Sequence, residues 1–500
     1  MILFGQAEVW SVNFGVVPVH QIFKVRLNIM GSYLLLVCIL VPLLGAFFLP
    51  ILGRISARLR NISALTFVVI AFICATLALP GLLAGNPLSL HYELPLGLSF
   101  GFYADALAVF MAMTASLVAS VIVLYSFGYI KEYENQNEYY MMVCLFIGAM
   151  MGLVFSTNLI FIYTFWEISA ICCWRLIGFY REEITVRYAN KAFIMTVAGA
   201  LVMLIGFVGI FGETGTFDLT AMKGAHIPSW AVVLILFGVL SKSATFPLHS
   251  WLPDAGVAPS PVTSLLHAAV LVKIGVYVYA RLFVVNFNID AVFTAVVPAI
   301  AAVSALISAG AAMRSDNIKR VVAYSTISQL AFILLGLSCG NETGVVGGML
   351  YILTHSVAKG GLFLCAGIVE HNVHTKDITK MGGLYKRMPL TALAFIFCAF
   401  SVMGIPPFGG FFAKYLVISG IISTGNILLG IVFIIGAVMT VLYLTRLFVK
   451  VFLGSQTFSD VKEGTPLMLV SVMILAALSL VLGIFISMPS GLASLIGRWM

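Results

Sequence analysis

Lysines at 242, 273, 359 and 414 and a glutamate at 167 stand inside stretches that are otherwise apolar. Glu167 lies in NLIFIYTFWEISAICCW, Lys242 in LSKSATFPLHSWLPDA and Lys273 in LLHAAVLVKIGVYVYA. Lys359 lies in LTHSVAKGGLFLCAG and Lys414 in MGIPPFGGFFAKYLV. A charge at the centre of a bilayer helix costs ~2.5–3.5 kcal/mol on insertion scales, so it must face protein or water, and such residues mark ion and proton paths. Burial works against an ammonium and a nearby carboxylate restores it. A Glu167–Lys242 pair that forms and breaks would therefore gate proton uptake by Lys242, and Lys273 would pass the proton on through His267 or His355. Blander readings compete: snorkelling for Lys359 and Lys414, a fixed Glu167–Lys242 ion pair, and satisfied interior histidines at 249, 267 and 355. Arg175, near the end of its apolar run, is expected to reach lipid headgroups.

Two of these lysines neighbour proline and glycine breaks, SATFPLHSWLP around Pro247 and MGIPPFGGFFAK around Pro406 and Pro407. Proline removes an intrahelical hydrogen bond, and broken backbone is tolerated at membrane depth only inside protein or beside water. Interrupted segments in corresponding halves of a chain point to an ion site in a repeat-built transporter.

The elements that position these residues follow from composition. Of 500 residues, 61% are hydrophobic and 9% charged, against about 25% charged in a soluble domain. Roughly 14 apolar runs are long enough to cross a bilayer, among them 102–128, 229–250, 262–284 and 388–421. Strand-like alternation is absent, which argues against a transmembrane barrel. The chain reads as an all-α polytopic membrane protein. Its net charge of +8 follows topology: most arginines and lysines, Lys319 among them, fall in loops on one side, and few, such as Arg281, on the other. The positive-inside rule then puts both termini on the outer side, and a nucleic-acid partner is not expected. The eight cysteines show no CxxC spacing for zinc or an iron–sulfur cluster, and no phosphate loop or metal site stands out, so no cofactor is expected in this chain. Residues 1–29 lack the features of a signal peptide and read as an amphipathic or poorly ordered leader.

Together, PLHSWLPDAGVAPSPVTSLLHAAVLVKIGVY, NIKRVVAYSTISQLAFI, THSVAKGGLFLCAG and GIPPFGGFFAKY resemble the antiporter-like proton-translocating subunits. That family serves complex I, Mrp-type multisubunit Na+/H+ antiporters and membrane-bound nickel–iron hydrogenases. The resemblance runs from about residue 95 to 455. It implies about 14 transmembrane helices with two inverted five-helix repeats and broken seventh and twelfth spans. The implied division is a leader (1–29), three helices (30–138), repeat one (139–290), repeat two (291–455) and a last span (456–500). By motif, Glu167, Lys242, Lys273, Lys359 with His355, and Lys414 match the family's buried translocation residues. His267 is closer to the hydrogenase and Mrp types, and lysine at 414 departs from the glutamate of one complex I branch. No lateral helix is expected after the last span, and Arg175 replaces a small or apolar residue.

The function implied is proton or sodium translocation in the prokaryotic plasma membrane, as a subunit of a redox-driven complex or hydrogenase. Other membrane subunits would be partners, related antiporter-like ones included. Peripheral subunits would carry iron–sulfur clusters and nickel–iron or flavin groups, since this chain has no redox centre. The alternative is a subunit of a Na+/H+ secondary antiporter without a redox partner. A purely structural anchor is a third reading.

Overall fold

The computed structural model describes residues 19–93, 99–458 and 461–497, with side chains from Tyr33 onward. Residues 1–18 of the expected leader lie outside these. From Val19 the backbone is already in the first helix, α1 (Val19–Ile55), followed by α2 (Ala57–Leu83) and a hairpin of β1 (Ser89–Glu93) and β2 (Ser99–Tyr103). Next come α3 (Ala106–Tyr129), α4 (Gln136–Phe155), α5 (Leu159–Ile177), α6 (Glu183–Thr214) and α7 (Ser229–Lys242). Two short helices, α8 (Trp251–Asp254) and α9 (Ser260–Ser264), lead into α10 (Leu271–Tyr279) and α11 (Phe293–Arg314). The rest is α12 (Ile318–Ser338), α13 (Glu342–Val373), α14 (Pro389–Met403), α15 (Gly409–Ser423), α16 (Ile427–Phe452), α17 (Pro466–Ile484) and α18 (Ser487–Gly497).

Among the described residues, 12 helices are long and apolar enough to cross a membrane, and α7, α14 and α15 are shorter apolar helices. The chain is an all-α polytopic membrane protein with one small hairpin. In that hairpin SFGFY pairs antiparallel with SLHYE. The third span therefore begins later than residue 102, because Asp105 caps it by accepting from Ala108 N at 2.9 Å. The expected run 262–284 lies within one span, Ser260–Asn286, of uneven helical winding. α10 is flanked by two π-helical turns, Leu265–Ala269 and Ala280–Asn286, which apolar periodicity does not reveal.

The halves repeat one another in detail. Before α5, Leu159 N donates to Phe217 O and Leu219 N to Thr157 O; before α12, Ile318 N donates to Lys376 O and Ile378 N to Asp316 O, at identical sequence offsets. Asp218 Oδ1 accepts from the amide and hydroxyl of Thr220, as Asp377 Oδ1 does from Thr379. The first bridge lies on the face that carries the hairpin. α11 leads from that face to the other, where the second bridge lies with Arg314, Lys376 and Arg446. The repeats are thus inverted, and the second face is the basic one.

Helices α12 and α13 form the interior, with 94% and 100% of their apolar windows buried, whereas α1, α2, α6 and α16 show much of theirs outward. Glycine permits this in α13: a Cβ on Gly347 would stand 2.6 Å from Val417 N. Small residues let backbones approach where lipid provides no hydrophobic drive between helices.

Candidate functional site

The site is a row of buried side chains through the interior. It begins on α5, where Asn158 caps the helix by accepting from Ile160 N and sets the phase of Trp166 and Glu167. Trp166 is fully buried and Glu167 half-buried. Lys242, the last residue of α7, is fully buried; its Nζ donates to Trp166 O at 3.2 Å and sits 5.0 Å above the Trp166 ring. Glu167 Oε1 has no hydrogen-bond partner. The expected Glu167–Lys242 ion pair is therefore not formed here, because the ammonium is held by the carbonyl of the residue before the glutamate.

Helix α7 stops at Lys242, two residues before Ala244 adopts φ +50; the Phe246–Pro247 bond beyond it is cis. Left-handed backbone costs a non-glycine residue about 1–3 kcal/mol. Side chains add to the backbone bonds at the break: Ser243 Oγ donates to Val239 O at 2.7 Å, and Trp251 Nε1 donates to Ser241 O at 3.0 Å. His249 lies half-buried beyond the break, its Nδ1 3.3 Å from Pro247 O, and takes no part in the row.

Helix α10 packs directly on this bend. A Cβ on Gly275 would meet Ser243 N and Val239 O, each at 2.8 Å, so only glycine fits. Two residues earlier, Lys273 is fully buried, with Nζ 2.6 Å from His355 Nδ1 and 3.4 Å from His267 O. His267 sits in the first π turn, a feature frequent at functional sites. Both its ring nitrogens are buried without partners, and its ring lies 4.4 Å from that of Phe363. Lys359, one turn after His355 on α13, is fully buried and donates to Val322 O at 3.1 Å.

The second break is made by Gly404 at φ +82 and a cis Pro406–Pro407 bond. Lys414 of α15 is only 4% exposed. Its Nζ has no hydrogen-bond partner and lies 4.8 Å from the Phe332 ring and 5.8 Å from the Tyr351 ring. Burial of Lys359 and Lys414 sets aside snorkelling for both. The Tyr351 ring also stands 6.0 Å from that of His355, which joins Lys414 to the central group.

The structure thus brings Lys273, His267, His355 and Lys359 together, sets Lys414 beside them through Tyr351, and places Glu167 and Lys242 across the α7–α10 contact. Ammonium beside imidazole is a pair that can pass a proton, since a neutral imidazole nitrogen accepts one and the ring donates another. Among the described residues no group of three or more His, Cys, Asp or Glu side chains could hold a metal ion.

Several charges had gone unrecognised as interior groups. Arg281, expected in an outer loop, is buried and paired in two-pronged fashion with Asp105, at 2.5 and 2.8 Å. It stands two turns after Lys273, a spacing that could have placed both on one helix face. Lys319, expected in a cytoplasmic loop, is 1% exposed and pairs with Glu370 at 2.5 Å. Arg175, about one-third exposed, pairs with Glu138, which Arg181 also holds at 2.7 Å. Gln329 accepts from Tyr351 Oη at 2.5 Å and donates to Tyr443 Oη at 3.1 Å, a polar cluster beside Lys414 that no charge announced.

The profile described as NADH:quinone oxidoreductase/Mrp antiporter, transmembrane, matches residues 156–440. The chain belongs to this family. A second profile, for the N-terminus of complex I chain 5, matches residues 94–140. This family member is 32% identical over 490 residues to Na(+)/H(+) antiporter subunit A1 of Staphylococcus epidermidis, covering 90% of the chain and 61% of the relative. It is 31% identical to subunit A1 of Staphylococcus aureus, with the same coverage. The chain thus spans about 61% of the length of these relatives. Two solved structures share the fold. A chain of the Mrp complex from Dietzia sp. superposes with TM-score 0.85 at 22% identity, over 94% of this chain and 97% of that one. A chain of the membrane-bound sulfane sulfur reductase, an archaeal respiratory membrane complex, gives 0.86 at 25% identity, over 93% and 97%.

Proposed function

We propose that this chain is an ion-translocating subunit of a multisubunit Na+/H+ antiporter, in which protons move along Glu167, Lys242, Lys273, His267, His355, Lys359 and Lys414. The observation that carries this reading over the redox-driven one is the 32% identity with Na(+)/H(+) antiporter subunit A1 across 90% of the chain. The row of buried lysines and histidines supplies the proton-handling groups. Other membrane subunits would complete the assembly, as the multisubunit complexes that share the fold suggest.

In this reading α7 and the α14–α15 pair each make one broken crossing, for 14 in all, with repeats at 139–290 and 291–455. The basic face is cytoplasmic and both termini lie outside a prokaryotic plasma membrane. A redox-driven translocase remains the second reading, favoured by the fold shared with the sulfane sulfur reductase chain; peripheral redox subunits and their cofactors belong to that reading alone.

The test is reconstitution of the complex, purified from native membranes, into liposomes without electron donor. Sodium-driven proton movement that disappears in an assembled Lys242→Ala complex is expected. Exchange undiminished by Lys242→Ala rules out the proposed row. Movement that requires an electron donor favours the redox-driven machine.

A further inference from the structure

The largest cavity described opens on the basic face, about 870 Å³, and Glu370 lies in its wall with Tyr129, Tyr180, His371, Asp316 and Lys376. Glu370 follows Lys359 on α13 by three turns, about 16 Å at the helical rise of ~1.5 Å per residue. It faces two ways. On the wet side Oε1 pairs with Lys376 Nζ at 3.1 Å, a lysine about one-third exposed. On the dry side Oε2 pairs with buried Lys319 at 2.5 Å and accepts from Ser260 Oγ at 3.3 Å. Lys319 is fixed further by donating to Ala258 O at 2.9 Å.

Polar groups continue inward from Ser260. One turn along α9, Ser264 Oγ donates to Gly360 O at 3.3 Å, beside Lys359. The next turn carries His267. Glycine makes room for this approach, since a Cβ on Gly367 would stand 2.4 Å from Ser260 Cβ and 2.8 Å from Tyr125 Oη. At Glu370 two ammonium groups face one carboxylate, an arrangement that repels a metal cation and holds the carboxylate ionised until one of the lysines leaves.

We propose that Glu370 is the proton-loading group of the central row, connecting the basic-face cavity to Lys359 through the hydroxyls of Ser260 and Ser264. This rests on the translocation reading above. When the partly exposed Lys376 swings into the cavity, a hydronium ion gives its proton to the Glu370 carboxylate and leaves water. The carboxylic acid donates to Ser260 Oγ, whose own proton moves on toward Ser264, with water spanning the ~5–6 Å between positions one turn apart. Lys359, as a free amine, takes up the last proton, and the restored carboxylate pairs again with both lysines.

The experiment measures sodium-driven proton movement and its pH profile in liposomes holding the whole complex, with assembly checked by subunit content. Glu370→Gln is expected to lower exchange at least tenfold, and Glu370→Asp to keep activity with a displaced pH profile. Ser260→Ala is expected to slow exchange several-fold without moving that profile. Because Glu370→Gln leaves Lys319 unpaired and can prevent assembly, the double variant Lys319→Gln/Glu370→Gln is measured beside it. Wild-type exchange in either assembled Glu370→Gln complex overturns the proposal. If Lys242→Ala is inactive while the double variant works normally, only the loading role of Glu370 falls. If Lys242→Ala itself works, the translocation reading falls first.

Discussion

Helix α7 and the α14–α15 pair break alike, each at a residue of positive φ followed by a cis proline bond, yet their lysines stand on opposite sides of the break. Lys242 is the last residue of the helix before its break. There the helix dipole attracts a cation, Trp166 O accepts its proton, and Glu167 is the next residue along α5. Lys414 stands in the second turn of the helix after its break. That far from the helix start the dipole offers the cation nothing, and the ammonium meets the faces of Phe332 and Tyr351. In the translocation reading proposed above, the first site would hold a proton and the second would give it up. The backbone device is thus repeated while the lysine changes sides.

The most severe way to break this comparison is to remove the lysines one at a time. Lys242→Ala is expected to cut exchange about a hundredfold or more, since general acid–base groups contribute roughly 10²–10⁴, and Lys414→Ala about tenfold, since its ammonium has no hydrogen-bond partner to lose. Proton flux in liposomes reads both; equal losses would erase the distinction between holding and releasing sites.

Next comes the contact that couples the first break to the central group. Gly275→Val drives a side chain into Ser243 N and Val239 O, backbone that cannot yield. A cost of about 1–3 kcal/mol is expected from overpacking, with slower exchange and a lower unfolding temperature. An unchanged melting temperature would mean that α10 and α7 are less tightly joined than the structure shows.

The breaks also differ in the residue that turns the chain: Ala244 at φ +50 and Gly404 at φ +82. Ala244→Gly relieves left-handed strain and is expected to raise stability by up to about 1 kcal/mol. Gly404→Ala adds that strain and a contact 3.1 Å from Lys414 Cδ, so it is expected to cost about 1–2 kcal/mol and to slow exchange. Thermal melts of the purified complex give both signs, and the same sign for both would contradict the backbone angles.

The smallest effect concerns the matched bridges on the two faces. The hydroxyl and amide of Thr379 hold the Asp377 carboxyl below its ordinary range. A carboxyl lowered on folding stabilises above its unfolded value, near ~3.9, and that contribution is lost as pH falls through the lower folded value. Thr379→Val is therefore expected to shift the acid side of a stability profile slightly upward in pH. An identical profile would show that this bridge adds nothing measurable.

Much of this was legible in the chain because membrane solvent leaves few choices. Apolar runs had to be helices, Lys242, Lys273, Lys359 and Lys414 had to face protein or water, and Pro247, Pro406 and Pro407 had to interrupt helices. What periodicity could not register were the π turns around α10, since a π turn shifts the helix by one residue without changing composition. Nor could it separate loop charges from interior ones: Lys319 and Arg281 sit at helix ends in sequence, and only the approach of Glu370 and Asp105 turns them inward.

Sequence by itself determined the solvent, the helical class, the two breaks and the types of the buried charged groups, because each follows from the cost of putting polar atoms in hydrocarbon. Tertiary structure alone decided which groups touch. It gave Lys242 to Trp166 O rather than to Glu167, set Lys273 against His355, left Lys414 on aromatic faces, and opened a polar cavity onto Glu370. Those outcomes depend on angstrom-scale approaches between helices distant in the chain, fixed by glycines such as 275, 347 and 367 whose partners no local pattern names.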